Sequence, residues 1–251
     1  MDQEKRLTGV MRQQCAINVI NPNTTQSMTD LIEAAAREYA GPATTIVGRT
    51  SAFGPASIEG HYDEALATIG VLKAVAEGDQ GECDAHIIAC FGDPGLLAAR
   101  EITKAPVLGI AEAAMRAATF VAIHFSVVTT LSRTKVIAEH LVRNYGMEDA
   151  CRKVRAVDVA VLDLDKPDSN VRSILLDECQ AALKHDGIGA IVLGCAGMAN
   201  LAHDLSAELG VPVIDGVAAA VKFAEALVGL GLQTSKYGDL AFPIPKDRSP
   251  Y

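Results

Sequence analysis

Short apolar runs alternate along the chain with longer stretches in which apolar positions recur at helical spacing. Runs rich in Val and Ile predict buried strands, and strand–helix alternation is typical of a parallel α/β fold. The predicted strands are Cys15–Ile20, Thr44–Gly48, His86–Ala89, Pro106–Ile110, a run from Phe125, Lys153–Val161, Ala190–Leu193 and Pro212–Ile214. The predicted helices are Met28–Tyr39, Tyr62–Ala76, Gly95–Ile102, Glu112–Val121, Lys135–Tyr145, Val171–His185, Ala199–Leu209 and Val217–Leu230.

One of these strands ends in a glycine-rich turn that carries a cysteine. Cys195 follows the run 190–193 and precedes the predicted helix 199–209. Ligands of open α/β sheets bind at the carboxyl ends of the strands, and a helix start favours a negative charge. We therefore expect a functional thiol here, one that ionises more readily than a free thiol.

The same layout occurs earlier in the chain, around Cys90. Pro106 follows Cys90 by 16 residues and Pro212 follows Cys195 by 17, and each proline opens the next predicted strand. Either cysteine alone would be interpreted as a buried apolar residue, but the duplicated placement favours a paired functional role.

The strand pattern also restarts, because the run from Phe125 resembles the run from Ile17. The repeat predicts two similar lobes with parallel sheets that face each other. If a pseudo-two-fold axis relates the lobes, Cys90 and Cys195 come from opposite sides of one cleft. We assign residues 13–110 and 215–251 to the first lobe and 111–214 to the second.

Composition excludes several classes of function. Of the 251 residues 49% are hydrophobic and 4% aromatic, which predicts a core of closely packed small aliphatic side chains. The net charge of −9 argues against a nucleic-acid partner. An apolar run of transmembrane length and a secretory signal are both missing, so we expect no membrane partner and a cytoplasmic location. The six cysteines lack zinc-site spacing, so no metal is predicted.

Two thiols on opposite sides of a cleft can invert a stereocentre. One thiolate removes a proton from a carbon next to a carbonyl group, and the other thiol delivers a proton to the opposite face. The sequence has no dinucleotide fingerprint after its first strand and no phosphate loop, so no cofactor is predicted.

Several motifs resemble the aspartate/glutamate/hydantoin racemase superfamily, and within it the hydantoin racemase branch. The resemblance runs from about Ile17 to Pro243 and rests on Val19–Thr24, Ser57–Gly60, Cys90–Leu96, Val192–Met198 and Pro212–Asp215. Two further segments look closer to allantoin racemases than to general hydantoin racemases: Thr129–Thr134 and Thr234–Pro243.

This resemblance implies a cofactor-independent racemase with two Rossmann-like lobes related by a pseudo-two-fold axis and the active site in the cleft between them. The enzyme would invert C5 of a hydantoin ring, which carries a ureido group in allantoin. It implies a small-molecule substrate, a place in purine catabolism and a homo-oligomer. Cys90 and Cys195 match the catalytic pair of the family. The residues expected to bind substrate are Asn21, Ile58, Gly92, Thr129, Thr130, Ala196 and Gly197.

Other interpretations stay open at this point. Asn21 and the two threonines are equally typical of ordinary turn capping. The chain could be a general racemase of 5-substituted hydantoins, a decarboxylase or cis–trans isomerase on the same scaffold, or a two-lobed binding protein. A racemase of acidic amino acids would need a cationic clamp, and neither cysteine turn contains Lys or Arg. His61, Asp63 and Glu64 are interpreted as a solvated helix start rather than a ligand set.

Overall fold

The structure is a computed structural model that describes residues 14–164 and 170–247. Residues 1–13, residues 165–169 of the predicted loop Leu162–Asn170, and residues 248–251 at the end of the predicted first lobe lie outside the described residues. The strands are β1 (Cys15–Asn21), β2 (Thr44–Thr50), β3 (Ala85–Ile88), β4 (Val107–Gly109), β5 (Phe125–Thr129), β6 (Cys151–Ala156), β7 (Ala190–Gly194) and β8 (Val213–Ile214). The α-helices are α1 (Gln26–Tyr39), α2 (His61–Gln80), α3 (Leu96–Ile102), α4 (Ile110–Val121), α5 (Lys135–Asn144), α6 (Val171–His185), α7 (Ala202–Leu209) and α8 (Gly216–Gly229).

The strands form two parallel four-stranded sheets with the same topology. The first sheet has the order β2-β1-β3-β4 and the second has the order β6-β5-β7-β8. Each strand of one sheet therefore has an equivalent strand at the same place in the other sheet. For example, β5 is equivalent to β1 and β7 to β3. The predicted fold of two repeated parallel α/β lobes is confirmed.

Helices cover both faces of each sheet. The first sheet packs against α1 and α8 on one face and against α2 and α3 on the other. The second sheet packs against α4 and α5 on one face and against α6 and α7 on the other. Each lobe is thus a three-layer unit, in which the inner strands β1, β3, β5 and β7 are mostly apolar because both faces are buried.

Two helices connect the lobes. Helix α8 follows the second sheet in the chain, yet its buried residues belong to the core of the first sheet. Helix α4 follows the first sheet, and most of its buried residues belong to the core of the second. Because of this packing, we propose the division into lobes that the sequence predicts. The first lobe comprises residues 13–110 and 215–251, and the second comprises residues 111–214.

The first residues of α4 and α8 are in close contact. A Cβ atom built on Gly216 would lie 2.5 Å from the carbonyl oxygen of Ile110. Only glycine leaves room for this approach, which brings equivalent helices of the two lobes together at their amino ends.

The turns after the two cysteines are packed across the lobe boundary. Phe91 lies in the core of the second lobe, together with Phe125 and Val127 of β5. Ala196 and Ala199 lie in the core of the first lobe. The loops that carry the cysteines are therefore held by both lobes.

Among the elements whose bounds differ from those expected, β6 and α7 have a visible structural cause. β6 ends at Ala156 rather than Val161, because Asp158 adopts a left-handed φ of 53° and its carboxylate accepts hydrogen bonds from the N–H and hydroxyl groups of Ser132. The segment after Cys195 first forms a 3-10 helix over Ala196–Leu201, so α7 starts at Ala202.

Within the described residues, no helix combines the length and the apolar character that crossing a membrane requires.

Candidate active site

A small cavity lies between the lobes, at the carboxyl ends of β3 and β7. Cys90 follows β3 and Cys195 directly follows β7, so each lobe contributes one thiol to the cavity wall. Both cysteines are partly exposed, and the cavity volume of about 60 Å³ suits a small ligand. The structure therefore brings the duplicated cysteine turns together, as the repeat predicts.

The immediate surroundings of the two thiols are alike. The backbone N–H of Gly92 donates a hydrogen bond to the Cys90 thiol, and the N–H of Gly197 donates one to the Cys195 thiol. In each turn the donor is the second residue after the cysteine. Such a bond favours the thiolate form, so either sulfur has a partner when it is ionised.

Burial nevertheless dominates the ionisation of both thiols. It raises the pKa of Cys195 to about 11, against the Gly197 hydrogen bond and together with the charge of Glu59. It also raises the pKa of Cys90, where the nearby Cys195, Glu64 and Asp93 act in the same direction.

The expectation that these thiols ionise more readily than a free thiol is therefore wrong. The α-helix expected to stabilise the thiolate begins at neither cysteine, and Cys195 precedes only the short 3-10 helix Ala196–Leu201. Helix α3 starts at Leu96 and α7 at Ala202, so both lie beyond the turns that hold the sulfur atoms. The field of a helix falls off within its first turn, and burial outweighs the single N–H donor.

This ionisation can be measured by alkylation. Because only the thiolate reacts, we expect the rate at which iodoacetamide modifies Cys195 to rise about tenfold per pH unit from pH 8 to pH 10. Cys90 should react more slowly than Cys195, since more negative charge surrounds it. Peptide mass spectrometry follows each site, with glutathione as the reference. A rate for Cys195 that levels off below pH 9 would contradict the raised pKa.

Most of the residues expected at the site lie on the cavity wall. They are Cys90, Cys195, Ile58, Gly92, Thr129, Thr130 and Ala196. The hydroxyl of Thr129 donates a hydrogen bond to the carbonyl of Gly194, so it also links β5 to β7. The roles of these residues toward a substrate stay predictions.

Asn21 is not among the described residues that line the cavity, and its expected role in binding substrate stays a prediction. The side chain is buried, and its amide donates to Asn23, Thr25 and Thr29 while its oxygen accepts from the N–H of Asn23. Asn21 thus organises the turn after β1, and Asn23 is the asparagine of this turn that reaches the cavity.

Gly197 is likewise not among the described residues that line the cavity. Its N–H donates to the Cys195 thiol, and its expected role toward a substrate stays a prediction. The N–H of Gly92 is engaged with Cys90 in the same way, although Gly92 does line the cavity. Both glycines therefore act on the thiols.

Glu64 is a site residue that the sequence interpretation missed. It lines the cavity, and a Cβ built on Gly92 would lie 2.2 Å from its Oε1 atom. Burial raises the pKa of Glu64, opposed by a hydrogen bond from His61 at 3.2 Å. Its spacing from the buried Ala67 and Val71 on α2 was the available signal, because residues three and seven positions apart share one helix face.

The wall is mostly uncharged. Among the described residues around the cavity, Glu64 is the one carboxylate and none is Lys or Arg. A substrate with its own carboxylate would find no cationic partner on this wall, whereas a neutral ring with N–H donors would find an acceptor. The wall is thus suited to a neutral, polar ligand.

The loop between β2 and α2 closes one side of the cavity. Ile58 contributes to the wall, and the Oε1 atom of Glu59 accepts a hydrogen bond of 3.2 Å from the N–H of Val161 in the second lobe. This contact bridges the lobes at the edge of the site.

Two repeated parallel α/β lobes with one thiol from each on a shared cavity define a two-lobed enzyme of the racemase and isomerase class. The chain belongs to the Asp/Glu/Hydantoin racemase family, whose model matches residues 17–224. It is a racemase of the hydantoin group within that family. This confirms the family resemblance seen in the motifs.

Named relatives cover nearly the whole chain. A hydantoin racemase from Pseudomonas sp. (strain NS671) is 48% identical over 92% of this chain and 93% of its own. The solved allantoin racemase from Klebsiella pneumoniae is 54% identical with a TM-score of 0.93, covering 94% of this chain and 97% of its own. An allantoin racemase from Pseudomonas fluorescens is 41% identical with a TM-score of 0.90, over 94% and 100%.

Proposed function

We propose that this protein racemises allantoin by inverting C5 of its hydantoin ring, with Cys90 and Cys195 as the two bases. The observation that carries the proposal is the cavity between the lobes, with one thiol from each lobe on its wall. A lone base would return the proton to the face from which it came, whereas two bases on opposite walls can reach both faces of one carbon.

The proposed reaction needs one thiolate and one thiol. The thiolate takes the C5 proton, and the electron pair of the broken C–H bond moves into the C4 carbonyl to form an enolate. The thiol on the other face then gives its proton to C5, which restores the carbonyl. The first sulfur ends as a thiol and the second as a thiolate, so the enzyme is ready for the opposite enantiomer.

The surroundings of the sulfur atoms suit this chemistry. A buried thiol with a raised pKa is seldom ionised, but its thiolate is a correspondingly strong base toward a carbon acid. The N–H groups of Gly92 and Gly197 hold whichever sulfur carries the charge. The chain thus provides the same support for both directions of the reaction.

Allantoin is favoured over other hydantoins by the wall of the cavity. The cavity is small, and the carboxylate of Glu64 can accept hydrogen bonds from the N–H groups of a ureido substituent. Thr129 and Thr130 add polar atoms on the opposite lobe. The similarity to two proteins named allantoin racemases points to the same substrate. The proposal also includes a role in purine catabolism, a cytoplasmic location and assembly into a homo-oligomer.

The substrate is tested by comparing single enantiomers of allantoin and of 5-benzylhydantoin. We expect kcat/KM to be at least about tenfold higher for allantoin, since a bulky aromatic group has no polar partner here and little room. Polarimetry gives both rates, and the protein lacking both thiols gives the uncatalysed background. Faster turnover of the benzyl compound would contradict the allantoin assignment and favour a general hydantoin racemase. Turnover of neither would contradict the activity.

A further inference from the structure

The turn that carries Cys90 contains a buried carboxylate with three donors. Asp93 is 5% exposed and adopts a φ of 44°, in the left-handed region. Its side chain accepts hydrogen bonds from the hydroxyl of Tyr145 at 2.6 Å and from the N–H groups of Ala111 at 3.1 Å and Glu112 at 2.9 Å. Met198 is the corresponding residue of the Cys195 turn, so this carboxylate belongs to one turn only.

Two of these donors are the free N–H groups at the start of α4. The N-cap position of α4 is Gly109, which has no side chain to cap the helix. Asp93, 16 positions earlier in the chain, caps α4 instead. In the repeat, α8 is capped locally, since Asp215 accepts from the N–H groups of Val217 and Ala218. The free N–H groups at the start of both helices thus have a carboxylate acceptor, which is distant in the chain for α4 and local for α8.

Nothing in the backbone at Gly109 prevents a local cap. Gly109 has φ −92° and ψ 142°, close to the φ −87° and ψ 131° of Asp215. What occupies the space is Asp93, because a Cβ built on Gly109 would lie 2.2 Å from its Cγ atom. The distant carboxylate therefore stands where a local capping side chain would be.

The distant cap does something that a local cap cannot. It ties the Cys90 turn, which belongs to the first lobe, to α4 and to Tyr145, which both pack in the core of the second lobe. A local aspartate would stabilise α4 equally well, without burying a carboxylate in the turn or requiring a left-handed residue there.

We propose that Asp93 is a positioning residue, whose carboxylate holds the Cys90 turn against the second lobe so that this thiol faces C5. The proposal rests on the role of Cys90 given above. It predicts that Asp93 acts on one thiol only, because Met198 stands at the equivalent position of the Cys195 turn and offers no carboxylate.

The test moves the cap to the local position. The cap-transfer variant, Asp93→Gly with Gly109→Asp, restores the cap of α4 and places glycine where φ is positive, but it leaves the Cys90 turn untied. We expect unchanged urea unfolding and a loss of racemisation of at least tenfold. Hydrogen exchange at C5 in deuterated water should persist for the enantiomer that Cys195 deprotonates and fall for the other. The alkylation rate of Cys90 should change more than that of Cys195.

The matched control is Asp215→Ala, which removes the cap of α8, since the hydrogen bonds described for the Asp215 side chain go to Val217 and Ala218 and not to a cysteine turn. We expect it to lower stability while the folded enzyme exchanges both enantiomers equally. Wild-type racemisation and wild-type alkylation in a stable cap-transfer variant would overturn the proposal and leave Asp93 as a helix cap alone.

A second variant decides the matter if the cap-transfer variant does not fold. Tyr145→Phe keeps the cap of α4 and removes one link to the second lobe. We expect a lower kcat for racemisation of both enantiomers with KM nearly unchanged, and slower C5 hydrogen exchange with only one of them. Wild-type kinetics in Tyr145→Phe would then overturn the proposal. Failure of the proposed function would be seen separately, as wild-type racemisation by the Cys90→Ser variant. In that case the alkylation rate of Cys90, compared between the wild type and the cap-transfer variant, still reports whether Asp93 holds the turn.

Discussion

Replacing either Cys90 or Cys195 with serine will reduce racemisation by about 10³-fold or more. Inversion needs a base on one face of C5 and an acid on the other, and the two thiols are on opposite lobes of the cavity. A serine hydroxyl is a far weaker acid than a thiol, so it cannot supply the base at neutral pH. Polarimetry on each enantiomer measures the loss.

The two variants should differ from each other in deuterated water. The remaining thiolate can still remove the C5 hydrogen of the enantiomer that it faces, and deuterium from solvent then replaces it. Cys90→Ser and Cys195→Ser should therefore exchange opposite enantiomers, and the double variant neither. Proton NMR of the C5 signal, with spontaneous exchange subtracted, follows the reaction.

Cys151→Ser is the matched control for both variants. Burial raises the pKa of Cys151 to about 11, as it does for Cys195, but Cys151 opens β6 and does not line the cavity. It should racemise and exchange like the wild type. If Cys90→Ser and Cys195→Ser exchange the same enantiomer, or if either racemises normally, the opposed-thiol mechanism is wrong.

Replacing Gly216 with alanine will destabilise the fold by about 3 kcal/mol. The added Cβ would meet the carbonyl oxygen of Ile110 at 2.5 Å and its carbonyl carbon at 3.0 Å. These are backbone atoms at the start of α4, so the clash is relieved only if α4 and α8 move apart and both sheets lose part of their cover. Urea unfolding followed by circular dichroism measures the change.

Gly229→Ala tests the same substitution at the other end of α8. No neighbouring atom lies within 4 Å of a Cβ built there, so alanine should be neutral or stabilising by about 0.5 kcal/mol through its higher helix propensity. An unchanged free energy of unfolding in Gly216→Ala would show that the two helices tolerate a wider separation.

Much of the architecture follows from local patterns. Buried strands of a parallel sheet are nearly continuous apolar runs, which makes β1, β3, β5 and β7 evident, and their repeated order follows from the duplicated turns. The pairing of Cys90 and Cys195 at one cavity is predictable for the same reason, because equivalent turns meet where two repeated lobes face each other.

The missed features depend on contacts between distant segments. The amide of Asn21 is taken up by hydrogen bonds to Asn23 and Thr29, and Glu64 reaches the cavity only because Gly92 leaves room for it. The pKa of each thiol is set by burial, which a local pattern of turn and helix does not reveal. Each of these depends on the direction of a side chain rather than on the element that carries it.

The placement of α4 and α8 bears on how such a chain can arise. A half-chain running from β1 to α4 ends in a helix whose apolar face belongs to the other sheet, and it lacks the helix that its own sheet requires. Such a half could bury its surfaces only by pairing with a second copy and trading the last helix, as domain-swapped dimers do. The present protein is equivalent to that dimer joined end to end, and the thiols of the two former subunits now meet within one chain.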